Sequence, residues 1–244
     1  MVSPKPNLTY STLLALPREI RDLVYAYLLR ETYPAPEDPD HAGSRVLDSN
    51  IYFQAHSPRP ALLQLKLCNK QIHAEVQDAW VRRTEEVSAS AHLDVMVKGT
   101  RIWPTWLYLP RTSHLSPTVH VELRYFDNRG QQGSEFSTGA YRALWSLFNL
   151  LISHGPCLIH NRIGGLPTPL RVRRLRFEIR LCFPASVDDL FGTYRDVFER
   201  LERLAIDNVG LGRVEMIEAC LGMDRRVWRM KQLPTGLTLA SRVA

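Results

Sequence analysis

Strict alternation of apolar and polar residues marks the second half of the chain as strand-forming. The segments TVHVELRYF (118–126) and RLRFEIRLCF (174–183) each place every second side chain on an apolar face and the others on a polar face. HLDVMVK (92–98) and RVEMIEACL (213–221) show a weaker form of the same period. We therefore predict strands at these four positions.

Segments with helical periodicity lie between the strands predicted at 118–126, 174–183 and 213–221. TGAYRALWSLFNLLISHG (138–155) and SVDDLFGTYRDVFERLERLAI (186–206) each predict a helix. The order β-α-β-α-β favours a parallel sheet with right-handed crossovers. Because the strands are half polar, we expect two layers, with helices on one face and the other face open or covered only by the N-terminal helices.

The N-terminal third has a different pattern. LPREIRDLVYAYLLRE (16–31) predicts a helix over 16–30, with Pro17 in its first turn. The acidic, proline-rich segment 33–43 must end this helix in a loop. The spacing of the apolar residues predicts that the helix buries Ile20, Leu23, Val24 and Tyr27.

Three further segments complete the expected architecture. RVLDSNIYFQ (45–54) suggests a hairpin, and PALLQLKLCNKQIHAEVQDAWVRR (60–83) predicts one helix. RIWPTWLYLP (101–110) is interpreted as an irregular aromatic loop that either closes over a core or stacks on bases or a peptide. The apolar stripe of the helix predicted for 60–83 consists of Leu65, Ile72, Val76 and Trp80. The aromatic residues of the predicted loop are Trp103, Trp106 and Tyr108.

The expected fold is therefore α+β or α/β. Residues 1–90 form a helical region with the loop 33–43, and residues 91–244 form the α/β sheet, in one continuous core. Four scattered cysteines predict free thiols in a reducing compartment. The N-terminus lacks a signal-peptide core, and the longest apolar run is far short of the ~20 residues of a membrane span. We expect an intracellular protein, cytoplasmic or nuclear, without membrane contact.

The charge of the chain is uneven. The net charge is +6, and 26 of the 31 basic residues are arginine. Residues 160–244 hold 15 basic against 10 acidic residues. Two interpretations remain open: an anionic partner such as RNA, or a solvated surface on which arginines pair with acids.

The polar positions of the strand at 174–183 are the main binding candidates. Arg174, Arg176 and Arg180 lie on one face of that strand. They form either an anion-binding surface or an ion-pair ladder with Glu122 and Glu178 of the two strands.

Candidates for catalysis or metal binding are weaker. Glu178, Asp188 and Asp189 are possible catalytic carboxylates, although Asp188 and Asp189 also fit a helix start capped by Ser186. The triplet His154, Cys157 and His160 lacks the fourth ligand of a structural zinc site, and no phosphate-cradling GxxxxGK occurs. We expect no metal and no cofactor.

The segments LLALPREIRDLVYAYLL (13–29) and PALLQLKLCNKQIHAEV (60–76) together resemble a group of poorly characterised fungal proteins with an F-box-like N-terminus. The shared pattern is Leu-Pro-x-Glu-Ile-Arg, a variable loop, then Leu-Leu-x-x-Cys-x-x-Ile-x-x-Glu. The resemblance implies a helix that docks on the adaptor subunit of a cullin-type ubiquitin ligase. It assigns docking to Leu16, Pro17, Glu19, Ile20 and Tyr27. It assigns packing against the docking helix to Leu63, Cys68 and Ile72.

The long segment 33–60 departs from a compact F-box, so two interpretations of the first helix remain: docking surface or core wall. We accordingly expect an F-box-like interaction module that presents a basic sheet face to a client. The alternatives are an enzyme that uses an RNA-linked substrate such as aminoacyl-tRNA, in small-peptide or cyclodipeptide biosynthesis of secondary metabolism, and a simple RNA-binding protein.

Overall fold

The structure is a computed structural model of the chain. It describes residues 13–29, 32–55, 61–84, 90–108, 115–126, 138–154, 171–182, 195–203, 214–232 and 238–243.

The described elements are a short 3₁₀ turn, five helical segments and nine strands. The 3₁₀ turn spans Leu13–Ala15, and the helices are α1 (Arg18–Leu29), α2 (Ala61–Cys68), α3 (Lys70–Thr84), α4 (Thr138–His154) and the helical residues 195–203. The strands are β1 (Arg45–Asp48), β2 (Ile51–Gln54), β3 (Ser90–Lys98), β4 (Arg101–Tyr108), β5 (Leu115–Phe126), β6 (Arg171–Leu181), β7 (Val214–Leu221), β8 (Asp224–Gln232) and β9 (Thr238–Val243).

The chain divides into two compact units. One comprises residues 1–31 and 58–88, and the other comprises 32–57 and 89–244. The expected boundary near residue 90 agrees with the division between residues 88 and 89, whereas the single continuous core and the assignment of the loop 33–43 to the helical region need correction. The loop 33–43 and the hairpin belong with the sheet, and each unit has its own buried cluster.

The helical unit is held together by a buried polar network between α1 and α3. Arg21 donates from Nε and Nη2 to the two carboxylate oxygens of Glu75, at 2.8 and 2.6 Å. Tyr25 donates its hydroxyl to Glu75 at 2.8 Å, and Gln71 donates to the other oxygen at 2.9 Å. The apolar part of the same core consists of Tyr25, Ile72, Val76 and Ala79.

This network overturns the predicted burial of α1. Ile20, Leu23 and Tyr27 are 45%, 63% and 78% exposed, and Val24 is half-buried. The buried residues of α1 are instead Arg21, Tyr25 and Ala26. Apolar periodicity selected the wrong face because the buried Arg21–Glu75 pair carries no hydrophobic signal.

The second predicted helix is two helices. α2 ends at Cys68, and α3 begins at Lys70. Asn69 lies between them, and its side-chain oxygen accepts a hydrogen bond from the backbone N–H of Gln71 at 2.7 Å. An asparagine in this position caps the start of the second helix, which accounts for the break.

The sheet has the order β1-β2-β4-β3-β5-β6-β7-β8-β9. The four central strands β3, β5, β6 and β7 are parallel. The β-α-β-α-β order predicts this for β5, β6 and β7, and the parallel pairing of β3 with β5 was not predicted. β4 and β8 flank them in antiparallel pairing, and β9 extends the sheet beyond β8. The protein thus combines helices with a mixed sheet, in the α+β or α/β class. β8 and β9 were not predicted from the sequence.

The two faces of the sheet differ as the alternation predicts. The apolar face packs against α4 and the helical residues 195–203, which contribute Leu144, Phe148 and Phe198 to the main core. The strands contribute every second residue of their central segments to the same core: Val119, Val121, Leu123, Leu175, Phe177, Ile179, Ile217 and Ala219.

The predicted aromatic loop is a strand. β4 pairs with β3 along its length, and Trp103 and Trp106 are buried, so the core interpretation of these two residues is correct. Pro104 is tolerated inside β4 because the pairing with β2 is registered only at Ile51 and Ile102. The Pro104 carbonyl accepts a hydrogen bond from Arg45 at 2.7 Å.

The hairpin predicted for residues 45–54 is present as β1–β2, and it turns at Ser49 and Asn50, with φ angles of 49° and 71°. Positive φ at both positions suits a two-residue hairpin turn, and asparagine adopts such angles more easily than most residues.

Cys68, Cys182 and Cys220 are free thiols, and Cys157 lies outside the described residues. In the described part of the chain, no helix is long and apolar enough to cross a membrane.

The Arg21–Glu75 pair predicts that acid weakens the helical unit. The network lowers the pKa of Glu75 to about 2 from 4.5, chiefly through the hydrogen bonds from Arg21. The stabilisation from ionised Glu75 is therefore complete above about pH 4.5 and is lost as the pH falls through about 2. Circular dichroism of urea unfolding along this pH range should show the loss.

Glu75→Gln should lower the free energy of unfolding by about 3–5 kcal/mol at neutral pH, because it leaves Arg21 buried without a counter-charge. The matched control is Glu19→Gln, which changes an exposed carboxylate of α1 and should leave stability nearly unchanged. Equal stability of the two variants would show that the pair does not hold α1 to α3.

Candidate functional site

The first candidate site is the solvent-facing side of α1. Pro17, Glu19, Ile20, Leu23 and Tyr27 are all exposed, and we call them the α1 outer face. Residues 20, 23 and 27 follow the helical steps of three and four, so their side chains lie in one stripe. Leu16, the remaining residue that the F-box resemblance assigns to docking, is half-buried.

The first turn of α1 is fixed from inside the unit. Arg21 donates from Nη1 to the carbonyls of Leu14 and Leu16, in addition to its bonds with Glu75. Arg18 donates from Nε to Asp22 at 2.8 Å. These contacts hold the 3₁₀ turn against the helix, so the α1 outer face begins at a defined position.

The residues assigned to packing against α1 have different positions. Ile72 is buried in the same cluster as Tyr25. Cys68 is exposed at the end of α2, and its thiol donates to the Gln64 carbonyl. The side chain of Leu63 lies outside the described residues.

The second candidate site is the polar side of the sheet. The parallel register aligns side chains of neighbouring strands in rows: His92, His120, Arg176 and Glu218 form one row, and Asp94, Glu122, Glu178 and Cys220 form the next. Together with Thr118, Arg124, Arg174, Arg180 and the adjoining Arg225 of β8, we call these residues the polar sheet face.

The predicted arginine row divides into two environments on this face. Arg180 forms ion pairs with both Glu122 and Glu178 at 3.0 Å, which is the predicted ladder. Arg174 and Arg176 instead approach Glu218, at 3.9 and 3.8 Å. Glu178, the catalytic candidate among these residues, is exposed and paired with Arg180.

Glu218 is the functional candidate that sequence reasoning missed. Its side chain is 2% exposed, although it lies on the polar side of β7. Arg225 reaches its Oε1 atom at 2.9 Å, and its Oε2 atom has no hydrogen-bond partner among the described residues. The alternation in β7 could have placed Glu218 on the polar face, but its position opposite Arg176 depends on the strand register.

A shallow pocket opens on the polar sheet face. Its lining includes His92, His120, Glu122, Arg176 and Glu178. The two imidazole rings are stacked, with centroids 5.0 Å apart and planes 21° from parallel. Partial burial lowers the pKa of His92, and burial together with His92 and Arg176 lowers the pKa of His120. Both effects favour the neutral form of the ring.

One end of the polar sheet face is closed by the acidic loop. Asp94 is fully buried and accepts two hydrogen bonds from Arg124, at 2.6 and 2.8 Å. Arg124 also donates to the carbonyls of Pro36 and Glu37. Burial raises the pKa of Asp94, and Arg124 opposes that rise. Arg124 thus ties the loop to the sheet and takes no part in the open surface.

Several predicted candidates lie outside the described residues. These are Asp188, Asp189, Cys157 and His160; for His154, the backbone is helical but the side chain is not described. Within the ranges that the structure describes, no group of three or more His, Cys, Asp or Glu side chains could hold a metal ion.

Comparison of the sequence with protein-family models gives no matching family, and comparison with curated proteins gives no significant match.

The histidines offer a direct test of the pocket's electrostatics. NMR titration should place the pKa values of His92 and His120 below that of an ordinary histidine, because their surroundings disfavour the charged ring. His41 is an internal control, since its bond to Asp38 raises its pKa. Asp38→Asn should return His41 to the ordinary range without moving His92. Titration of all three rings together would contradict the pocket's geometry.

Proposed function

We propose that this protein is an intracellular, F-box-like interaction module. Its α1 outer face docks on the adaptor subunit of a cullin-type ubiquitin ligase, and its polar sheet face presents charged side chains to a client. The proposal places the protein in the cytoplasm or nucleus, where such ligases act.

The observation that carries the proposal is the exposure of Ile20, Leu23 and Tyr27 on one stripe of α1. Large apolar side chains scattered singly on a surface need no explanation, but a contiguous stripe is typical of an interaction site. The three residues fit recognition through helical steps, in which anchors at i, i+3 and i+7 enter a hydrophobic groove.

The interior of the helical unit supports this assignment. Arg21, Tyr25 and Glu75 bind each other inside the unit, so α1 does not need its apolar stripe for folding. A helix that is fixed by a buried network loses little conformational freedom on binding, which favours affinity. Tyr27 is a suitable anchor because tyrosine is enriched among residues that dominate binding energy.

The division of the chain removes the main objection to an F-box-like unit. The segment between α1 and α2 interrupts the helices in the sequence, yet residues 32–57 belong to the sheet unit. The helices α1, α2 and α3 remain in contact as one compact unit of residues 1–31 and 58–88. The long insertion is therefore compatible with a three-helix docking unit.

A second candidate function is catalysis on an RNA-linked substrate such as an aminoacyl-tRNA. The pocket on the polar sheet face favours it, because two neutral imidazoles lie beside Glu122 and Glu178 and could exchange protons with a substrate. The pocket is shallow and Glu178 is paired with Arg180, which favours binding over chemistry.

The test of docking uses purified adaptor and isothermal titration calorimetry. Ile20→Asp and Tyr27→Ala should each weaken adaptor binding at least about tenfold, because each removes an apolar anchor from the interface. Both variants should keep the thermal unfolding temperature of the parent chain, since the two side chains are exposed.

Val81→Asp is the matched control, because Val81 is an exposed apolar residue of α3 outside the α1 outer face. It should bind the adaptor as the parent chain does. Failure of the parent chain to bind would refute the docking proposal. Unfolding of Ile20→Asp would show that the α1 outer face is buried.

A further inference from the structure

Three arginines converge on one carboxylate of the polar sheet face. Arg174, Arg176 and Arg225 come from β6 and β8 and surround Glu218 of β7, at 3.9, 3.8 and 2.9 Å. Three positive charges against one negative charge leave two positive charges in this cluster. We call these four residues the Glu218 cluster.

The arginines of the cluster are available to a ligand. Their side chains are between 40% and 60% exposed, and two of the three distances to Glu218 exceed hydrogen-bond length. Glu218, by contrast, is buried and has a carboxylate oxygen without a hydrogen-bond partner among the described residues. One buried carboxylate therefore lies beside three guanidinium groups, and its single negative charge cannot balance all three positive charges.

Neutral rings lie beside this positive cluster. His120 of β5 is opposite Arg176 of β6, and His92 of β3 is opposite His120. Neighbouring strands are about 5 Å apart, so the His120 ring and the Arg176 side chain are close enough to contact one ligand together. Arg176 belongs to both groups, because it also lines the pocket that contains the rings.

We propose that the polar sheet face binds single-stranded nucleic acid. The arginines of the Glu218 cluster contact phosphates, and an unpaired base stacks on the face of the His120 ring that is not covered by His92. Glu218 positions the guanidinium groups and does not contact the strand. The inference rests on the part of the proposed function that gives the sheet face a client, and it is independent of adaptor docking.

An acidic peptide is the competing occupant. Carboxylates would pair with the arginines equally well, but they would make no use of two stacked neutral rings beside them. Unpaired bases use both features, since stacking and phosphate contacts recur together in single-strand recognition. The rings therefore decide between the two classes.

The experiment measures binding of the full chain to a short fluorescent oligoribonucleotide by anisotropy over a salt series. Oligodeoxyribonucleotide of the same sequence, its duplex and a poly-glutamate peptide are the comparison probes. The single strands should bind more tightly than the duplex and the peptide, and the RNA and DNA arms show which sugar is preferred. With three phosphate contacts, the log–log salt slope should be about −2.

Single variants test each part of the site. Arg176→Ala and Arg225→Ala should each reduce the steepness of the salt slope by about 0.7. His120→Ala should weaken single-strand binding about tenfold, and His120→Phe should restore it, because phenylalanine also stacks. Arg195→Ala is the charge-matched control, since Arg195 is an exposed arginine in the helical segment that packs on the opposite side of the sheet.

Three results would overturn the inference: equal or tighter binding of poly-glutamate, an unchanged slope in the arginine variants, or full binding by His120→Ala. Each variant is also tested for adaptor binding. Loss of nucleic-acid binding with adaptor binding intact confirms the sheet-face site. Absence of nucleic-acid binding in a parent chain that binds adaptor refutes this inference and leaves the docking proposal standing.

Discussion

The buried Arg21–Glu75 pair determines how α1 is oriented, and the α1 outer face depends on that orientation. A buried guanidinium must keep its counter-charge, so α1 cannot rotate about its axis without a large cost. Tyr25 and Gln71 complete the hydrogen bonds of the carboxylate. With Arg21 and Tyr25 facing inward, Ile20, Leu23 and Tyr27 must face outward. The segments that resemble an F-box thus contain two kinds of residue: Arg21, Tyr25 and Glu75 orient the helix, and the apolar residues on its other side remain exposed, as the proposed docking requires.

The sheet unit uses its polar residues in a related way. Parallel register brings like-positioned side chains of β3, β5, β6 and β7 into rows about 5 Å apart, so each charge meets a neighbour from another strand. Where an acid meets one arginine and lies deep, as in Asp94–Arg124, the pair serves packing and holds the acidic loop. Where one acid meets three arginines, as at Glu218, positive charge remains at the surface. The ratio of arginines to acids in each cluster, more than the number of charges, distinguishes arginines that hold the structure together from arginines that can contact a ligand.

Much of the sheet was predictable because the alternation of apolar and polar residues within one strand identifies its buried and its exposed face. The alternation in β5 and β6 identified the buried set and the arginine row without any knowledge of the neighbours. The α1 helix shows where such reasoning ends: both of its faces carry apolar residues, and the choice between them is made by Glu75, 54 positions from Arg21. Glu218 was missed for the same reason, since its three arginines come from two other strands. β4 was misread because Pro104 normally argues against a strand, and only the limited pairing with β2 makes it acceptable.

The insertion between α1 and α2 also acquires a physical role. The acidic loop is held to the sheet at separate points: the Tyr33 N–H donates to the Leu107 carbonyl, Arg124 donates to the Pro36 carbonyl, and Lys98 pairs with Asp40. The contacts of Pro36 and Asp40 place the acids of the loop at the end of the sheet where β3 and β5 finish, whereas Tyr33 contacts the end of β4 that lies beside the start of β3. Arg124 is occupied by the loop and by Asp94. The cluster around Glu218 lies two strands further along the sheet, and the ion pairs of the loop's acids do not include its arginines. The acids of the insertion therefore lie at one end of the polar sheet face, and the arginines around Glu218 lie away from them on β6 and β8, which is the charge distribution that the proposed binding of single-stranded nucleic acid needs.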